Sequence, residues 1–406
     1  MAIRYTARYH APRVASARRA APAHRLAADL RISSAMKILH AILSDGFYGS
    51  ERYCIEVATA QARAGHRVKV LVANGESDCA RAFRREIEHT TAAIAADGTA
   101  GAIDLIALPG WLPTLLHRAY ARRALTRFAP DIVHSHLNPA ARRVGQVAQR
   151  LGIAHVATMH IRYEPREHGG CDGLICYTNG QRSEVDPRFP GETAIVGAWV
   201  AEPIHAGLAR ATPVDVAALR STWNADDHTV VLGSVGRLMP EKGMDVLVQA
   251  FRSAFPSGNE PVRLVIVGGG PPDQAQQLHD LAGGDTRITL NGPPPDIALY
   301  YRAFDTYVSA ARYEPFGLTI LEAMASGTAL VVTRTRGPQE FLREPSVMWA
   351  EPGDVATLAA QLRIAASRGR ERASYDLSPY TQRRAVTQIE ELYARVLARR
   401  RTSPKN

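Results

Sequence analysis

The chain has 406 residues, 46% hydrophobic and 22% charged, with four cysteines and a formal net charge of +10. That balance is that of a folded globular protein of about two domains, and excludes a wholly disordered chain, a collagen-like chain and a disulfide-dense mini-protein. No window holds eighteen consecutive apolar residues, so no spanning helix is expected.

Residues 1–35 carry seven arginines and one acid, a net of +6, and residues 395–406 carry five cations and no acid. The stretch between them is left at −1, so a basic nucleic-acid-binding face is not expected on the folded body. Residues 1–35 lack the continuous apolar core of a secretory signal and are read as a disordered basic extension. From Met36 short apolar runs alternate with helical stretches. Lys37–Leu43 reads as a strand, Ser50–Ala64 as a helix stopped by Gly65, and Val68–Ala73 and Ile103–Leu108 as strands. A basic helical segment over 113–128 precedes strands at Asp131–His134, Ala154–Met159, Gly173–Tyr177 and Thr193–Val196. A Pro- and Ala-rich passage over 202–227 reads as a linker with one helix, and then the rhythm restarts. Strands are predicted at Val230–Val235, Arg263–Val267, Ile288–Leu290, Thr306–Val308 and Ala329–Thr333, and a last helix at 379–401. Strand–helix alternation implies parallel crossovers, so two α/β halves facing a cleft are expected, with ligands outside the carboxyl ends of the strands. The domains are placed at 36–200 and 201–378, with 379–406 as a C-terminal helix and basic tail packing back on the first domain.

Three segments bear chemistry. Glu314 and Glu322 bracket Pro-Phe-Gly-Leu-Thr-Ile-Leu, in which a loop gives way to strong helix formers. A helix start with free N–H groups seats a diphosphate, and carboxylates accept from sugar hydroxyls. Such a Glu pair alone is a weak signal, since surface helices carry many. Gly236-Arg237-Leu238-Met239-Pro240-Glu241-Lys242-Gly243 puts two cations on a loop directly after a strand. They would neutralise a departing diphosphate, or form a solvated basic loop. Asp45-Gly46-Phe47-Tyr48-Gly49-Ser50-Glu51 joins the first strand to the first helix, where glycine permits close backbone approach. It does not spell the dinucleotide fingerprint. His134 and His136 alternate on one strand face, but no third metal ligand is identifiable, and His160 ends a later strand. Cys171 and Cys176 lack zinc-knuckle spacing and are read as reduced thiols.

In this order the segments GSVGRLMPEKGMDVLVQAF, VRLVIVGGGP and YEPFGLTILEAMASGTALVVT resemble the family 4 glycosyltransferases, retaining enzymes of the GT-B fold, over about residues 36–400. The resemblance implies that Glu314 contacts the donor sugar and Glu322 the ribose hydroxyls. Arg237 and Lys242 would grip the diphosphate, completed by the backbone of Phe316, Gly317 and Leu318. Gly49 would face the donor phosphates and His160 the donor sugar. It implies a UDP- or GDP-linked sugar donor, no metal and no other cofactor, and a glycan or lipid-linked acceptor of the lipopolysaccharide or exopolysaccharide type. The chain departs from the family pattern at Tyr48, Ala311, Gly269 and in the interdomain segment IVGAWVAEP. The basic stretch Trp111–Phe128 would suit contact with anionic lipid at the inner face of the cytoplasmic membrane, or simply be a solvated face. A cytoplasmic location is expected, with no nucleic-acid partner. A GT-B epimerase and a non-catalytic nucleotide-sugar-binding protein are the alternatives.

Overall fold

The computed structural model describes residues 35–44, 46–73, 76–96, 102–109, 112–113 and 116–402. The basic extension expected at residues 1–35 therefore lies outside the described residues, apart from Ala35, as does Trp111.

The first lobe runs β1 (Lys37–Ile42), α1 (Gly49–Arg63), β2 (Arg67–Val72), α2 (Asp78–Ala96), β3 (Ala102–Ala107), α3 (His117–Phe128) and β4 (Ile132–His136). It continues through α4 (Leu137–Ala140), a wide π turn (Ala141–Gly145), α5 (Gln146–Arg150), β5 (Ala154–Thr158), α6 (Pro165–His168), β6 (Gly173–Cys176), α7 (Asn179–Arg182) and β7 (Glu192–Ile195). Its seven strands pair in the order β3-β2-β1-β4-β5-β6-β7, in parallel throughout. β1, β4, β5 and β6 are buried along almost their whole length, as strands covered by helices on both faces must be.

The second lobe opens with α8 (Glu202–Arg210) and α9 (Pro213–Ser221), followed by β8 (Val230–Val235) and a single tight turn at Pro240–Lys242. Then come α10 (Met244–Ala254), β9 (Val262–Val267), α11 (Pro272–Ala282), β10 (Ile288–Asn291), α12 (Ile297–Ala303) and β11 (Thr306–Ser309). It closes with α13 (Leu318–Ala325), β12 (Ala329–Thr333), α14 (Arg336–Phe341), β13 (Met348–Ala350) and α15 (Val355–Arg368). The six strands run parallel in the order β10-β9-β8-β11-β12-β13. Leu247 and Phe251 of α10 and Leu358 and Leu362 of α15 bury their apolar faces against Leu232, Leu264 and Val331.

Several elements differ from the sequence reading, among them β13 and α15, which it did not name. The passage at 202–221 holds two helices. Each has a proline in its first turn, where the missing N–H costs nothing, and Thr212 caps α9 by accepting from the Asp215 amide at 3.2 Å. The helix α2 was not anticipated, although Ala80, Phe83, Ile87 and Thr90 fall on one buried stripe at helical spacing.

The final helix α16 (Gln382–Thr402) returns to the first lobe. Ile389, Leu392 and Val396 are buried, the Tyr393 hydroxyl meets His134 Nδ1 at 2.6 Å, and Arg400 Nη1 donates to both Asp172 oxygens at 2.8 and 2.7 Å. Arg395 and Arg399 reach Glu192 of β7 at 3.6 and 3.9 Å. Much of the basic charge at this end is thus spent on the first sheet.

Candidate active site

The connections after β1 and β4 leave for opposite faces of the first sheet, and those after β8 and β11 do so in the second. A crevice opens at such switch points. The loops leaving both sheets there line one shared cleft of about 510 Å³.

From the second lobe the loop after β8 carries Arg237 and Lys242. Gly243 has φ +64°, and a Cβ there would stand 2.1 Å from the Ala310 carbonyl oxygen, so glycine alone lets the loop fold onto the end of β11. Arg312 locks it: its amide donates to Glu241 O at 2.8 Å, and its guanidinium to Pro240 O at 2.8 Å and to both Asp245 oxygens at 2.7 and 2.6 Å. This brings Lys242 Nζ to 2.6 Å from Glu314 Oε2, with the two side chains 23% and 8% exposed. Arg237 is more open and reaches Glu241 at 3.5 Å.

The helix α13 begins at Leu318 behind Gly317, and its first amides have no acceptor within the helix. Phe316 is buried, stacked on Phe341 at 4.8 Å and tilted against Tyr177 at 5.7 Å. Glu322 lies one turn into α13 and accepts from the Tyr301 hydroxyl at 2.6 Å. Burial pushes its pKa up to about 7, against the opposing pull of that hydrogen bond and of Arg52.

Gly49 of the first lobe opens α1, and a Cβ on it would approach Leu318 Cδ1 to 3.0 Å. The starts of α1 and α13 therefore meet across the cleft. Glu51 accepts from the Tyr48 amide at 2.9 Å and the Ser50 hydroxyl at 3.0 Å, closing the α1 cap.

His160 sits at the top of a buried chain. Its Nδ1 meets the Tyr177 hydroxyl at 2.8 Å and its Nε2 meets His136 Nδ1 at 3.2 Å. His136 Nε2 continues to His40 Nδ1 at 3.1 Å, and His40 Nε2 to Gln61 Oε1 at 2.8 Å. Burial drives the His160 pKa down to about 3 and that of His40 to about 4, and lowers that of His136 strongly, so all three rings are neutral. His134 is spent on Tyr393 and, at 2.7 Å, on Thr158.

All nine residues singled out from sequence line this cleft: Gly49, His160, Arg237, Lys242, Glu314, Phe316, Gly317, Leu318 and Glu322. Sequence reasoning missed Arg52, Tyr53, Glu56, Tyr177 and Trp199, which line it too. Arg52, Tyr53 and Glu56 follow Gly49 at helical spacing, so phasing α1 from that glycine would have found them. Arg312, which acts through the loop, had no sequence signal.

Comparison with known proteins agrees with this architecture. Residues 47–190 match the family described as Glycosyltransferase Family 4, and residues 229–367 match Glycosyl transferases group 1. The lipopolysaccharide core biosynthesis glycosyltransferase LpsE of Rhizobium meliloti is 27% identical over 314 residues, 76% of this chain and 82% of its own. A D-inositol 3-phosphate glycosyltransferase of Acidothermus cellulolyticus is 31% identical over 245 residues, 53% of this chain and 54% of that protein. The crystal structure of Anabaena HepE with UDP and glucose superposes with a TM-score of 0.69 at 19% identity, covering 90% of this chain and 100% of HepE. Two parallel α/β lobes around a cleft define the GT-B fold of glycosyltransferases. Within that class the chain belongs to the family 4 glycosyltransferases, with the two matched regions falling one in each lobe.

Proposed function

We propose that the protein is a retaining glycosyltransferase that moves a hexose from a UDP- or GDP-linked donor to a hydroxyl of a glycan or lipid-linked acceptor. One observation carries this reading: Arg237, Lys242 and the start of α13 converge on one cleft that also holds Glu314 and Glu322. In this reading the donor diphosphate lies on the amides of Phe316, Gly317 and Leu318, held by Arg237 and Lys242. Lys242 is paired with Glu314 in the free protein. An arriving diphosphate draws the ammonium toward itself and frees Glu314 Oε2 to accept from a sugar hydroxyl. Glu322 accepts from the ribose. The acceptor oxygen attacks the anomeric carbon on the face the diphosphate is leaving. The bond to the phosphate oxygen breaks as the glycosidic bond forms, and the acceptor proton passes to the departing diphosphate. Negative charge develops on that group, where two cations and oriented amides meet it, so the charge requires no metal. His160, neutral and with both nitrogens engaged, shapes the sugar end of the cleft and does not move a proton.

The likeness to LpsE supports a lipopolysaccharide-type acceptor. Among the described residues no helix is long and apolar enough to cross a membrane. Arg118, Arg122, Arg123 and Arg127 stand exposed on α3, whose other face is buried through Ala121, Leu125 and Phe128. Contact with anionic headgroups at the cytoplasmic face of a membrane is the role that basic face supports. Co-sedimentation with anionic vesicles at low salt, weakened by an α3 arginine-to-glutamine variant, tests it, and no binding refutes it. The reaction is tested by incubation with UDP- and GDP-sugars and acceptor extracts. Release of nucleoside diphosphate with an α-linked product from an α-linked donor, read by proton NMR, is expected. An inverted linkage overturns retention, and no release from any donor overturns the enzyme reading.

A further inference from the structure

Glu56 is a half-buried carboxylate of the cleft wall that the reaction above does not use. It follows Arg52 by one turn of α1 and lines the cleft opposite α13. Its Oε2 accepts from the indole N–H of Trp199, in the segment joining the two lobes. The nearby Glu202 amide also favours its charge. Oε1 is shielded from solvent and has no hydrogen-bond partner among the described residues. A carboxylate oxygen left in that state lacks the donor its lone pairs require.

The donor it lacks has a recognisable shape. Glu56 from the first lobe and Glu322 from the second line the same cleft; burial raises the proton affinity of each, the charge of Glu56 raises that of Glu322 further, and Arg52 opposes the rise for both. Arg52 itself lies over the Phe47 ring, 5.5 Å from its centroid. In their ionised forms, which Glu322 reaches above about pH 7, the two carboxylates only accept, so neither satisfies the other, and anionic groups are repelled. A vicinal diol brings two O–H donors on adjacent carbons and meets both at once. We propose that Glu56 is a specificity-determining residue, its free oxygen and Glu322 gripping the ribose diol of the donor nucleotide from opposite lobes. This rests on the reading that places the donor ribose at Glu322. Trp199 is then a positioning residue, holding the Glu56 carboxylate by one oxygen and leaving the other without a protein partner among the described residues.

The test is calorimetric binding of UDP, GDP and their 2′-deoxy and 3′-deoxy analogues to the full chain and to Glu56→Ala, Glu322→Ala and Trp199→Phe. Wild type is expected to prefer the ribonucleotide over at least one deoxy analogue by about tenfold or more, the worth of a hydrogen bond to a charged group. In Glu56→Ala that preference falls to about threefold or less, while the deoxy analogue binds nearly as before. Trp199→Phe keeps Glu56 and loses only part of the preference. A purely structural role lowers affinity for ribo and deoxy forms alike. If Glu56→Ala keeps the full preference and Glu322→Ala abolishes it, the assignment of Glu56 is overturned and the ribose reading of Glu322 stands. If wild type shows no preference, or binds neither diphosphate, the cleft reading falls and this assignment with it.

Discussion

Replacing Lys242 with methionine removes an ammonium 2.6 Å from Glu314 while keeping most of the side-chain bulk. Breaking a fully buried ion pair by deleting one partner costs about 3–5 kcal/mol, because a desolvated charge is left behind. Here Lys242 is 23% exposed and Glu314 8%, so solvent relieves part of the loss and about 2 kcal/mol is expected. The reciprocal change, Glu314→Gln, leaves an ammonium on a flexible stem that still reaches water, and should cost about 1 kcal/mol or less. The two single variants are therefore unequal, and the double variant should be more stable than their sum by about 1–2 kcal/mol. Urea unfolding followed by fluorescence reads all four proteins, and turnover of Lys242→Met should fall about a hundredfold or more. Equal single losses with strict additivity would show that the pair is not coupled. Near-normal turnover would remove Lys242 from the reaction.

Three further outcomes follow from the same geometry. Glu322 holds its proton up to about pH 7 in the folded state, against about 4.5 when exposed, so the folded form binds more protons between those values. Stability should fall as pH rises across that window, by roughly 3 kcal/mol at most, and Glu322→Gln should flatten the slope in paired denaturation curves; nucleotide affinity should strengthen above pH 7 in wild type only. Because the His160 pKa lies at about 3, His160→Ala should lower turnover without moving any limb of the pH–rate profile between 5 and 8; loss of such a limb would make His160 a proton carrier. Gly243→Ala must displace the Ala310 carbonyl, so a stability loss of about 1–3 kcal/mol with weaker nucleotide binding is expected, and a neutral effect on both would contradict the assigned backbone.

The α/β alternation and the switch-point cleft were legible because they rest on local pattern, apolar runs alternating with helical stretches, and the nine cleft residues were legible through the motifs that resemble the family. What was not legible depends on long-range contact. Lys242 and Glu314 read as two separate ligand groups, and only folding shows them bonded to each other across 72 positions. His134 and His136 share a strand face, the spacing of a metal pair, but without a third ligand the sequence did not say what else engages them. In the fold their nitrogens are consumed by Tyr393, Thr158, His40 and His160, brought in from three other strands or helices and the end of β5. The return of the C-terminal helix to the first lobe was expected, but its partner was not: Arg400 pairs with Asp172, 228 positions away. Proline misled in the passage before β8, where it starts helices instead of breaking them.

The seat of the diphosphate is tested most directly by comparing nucleoside diphosphate with nucleoside monophosphate. Calorimetry with UDP against UMP, and GDP against GMP, isolates the second phosphate while keeping base and ribose constant. Wild type should favour one diphosphate by about tenfold or more, and Arg237→Ala should erase most of that margin while leaving monophosphate affinity unchanged. A margin that survives loss of the guanidinium, or that never existed, would place the phosphates elsewhere.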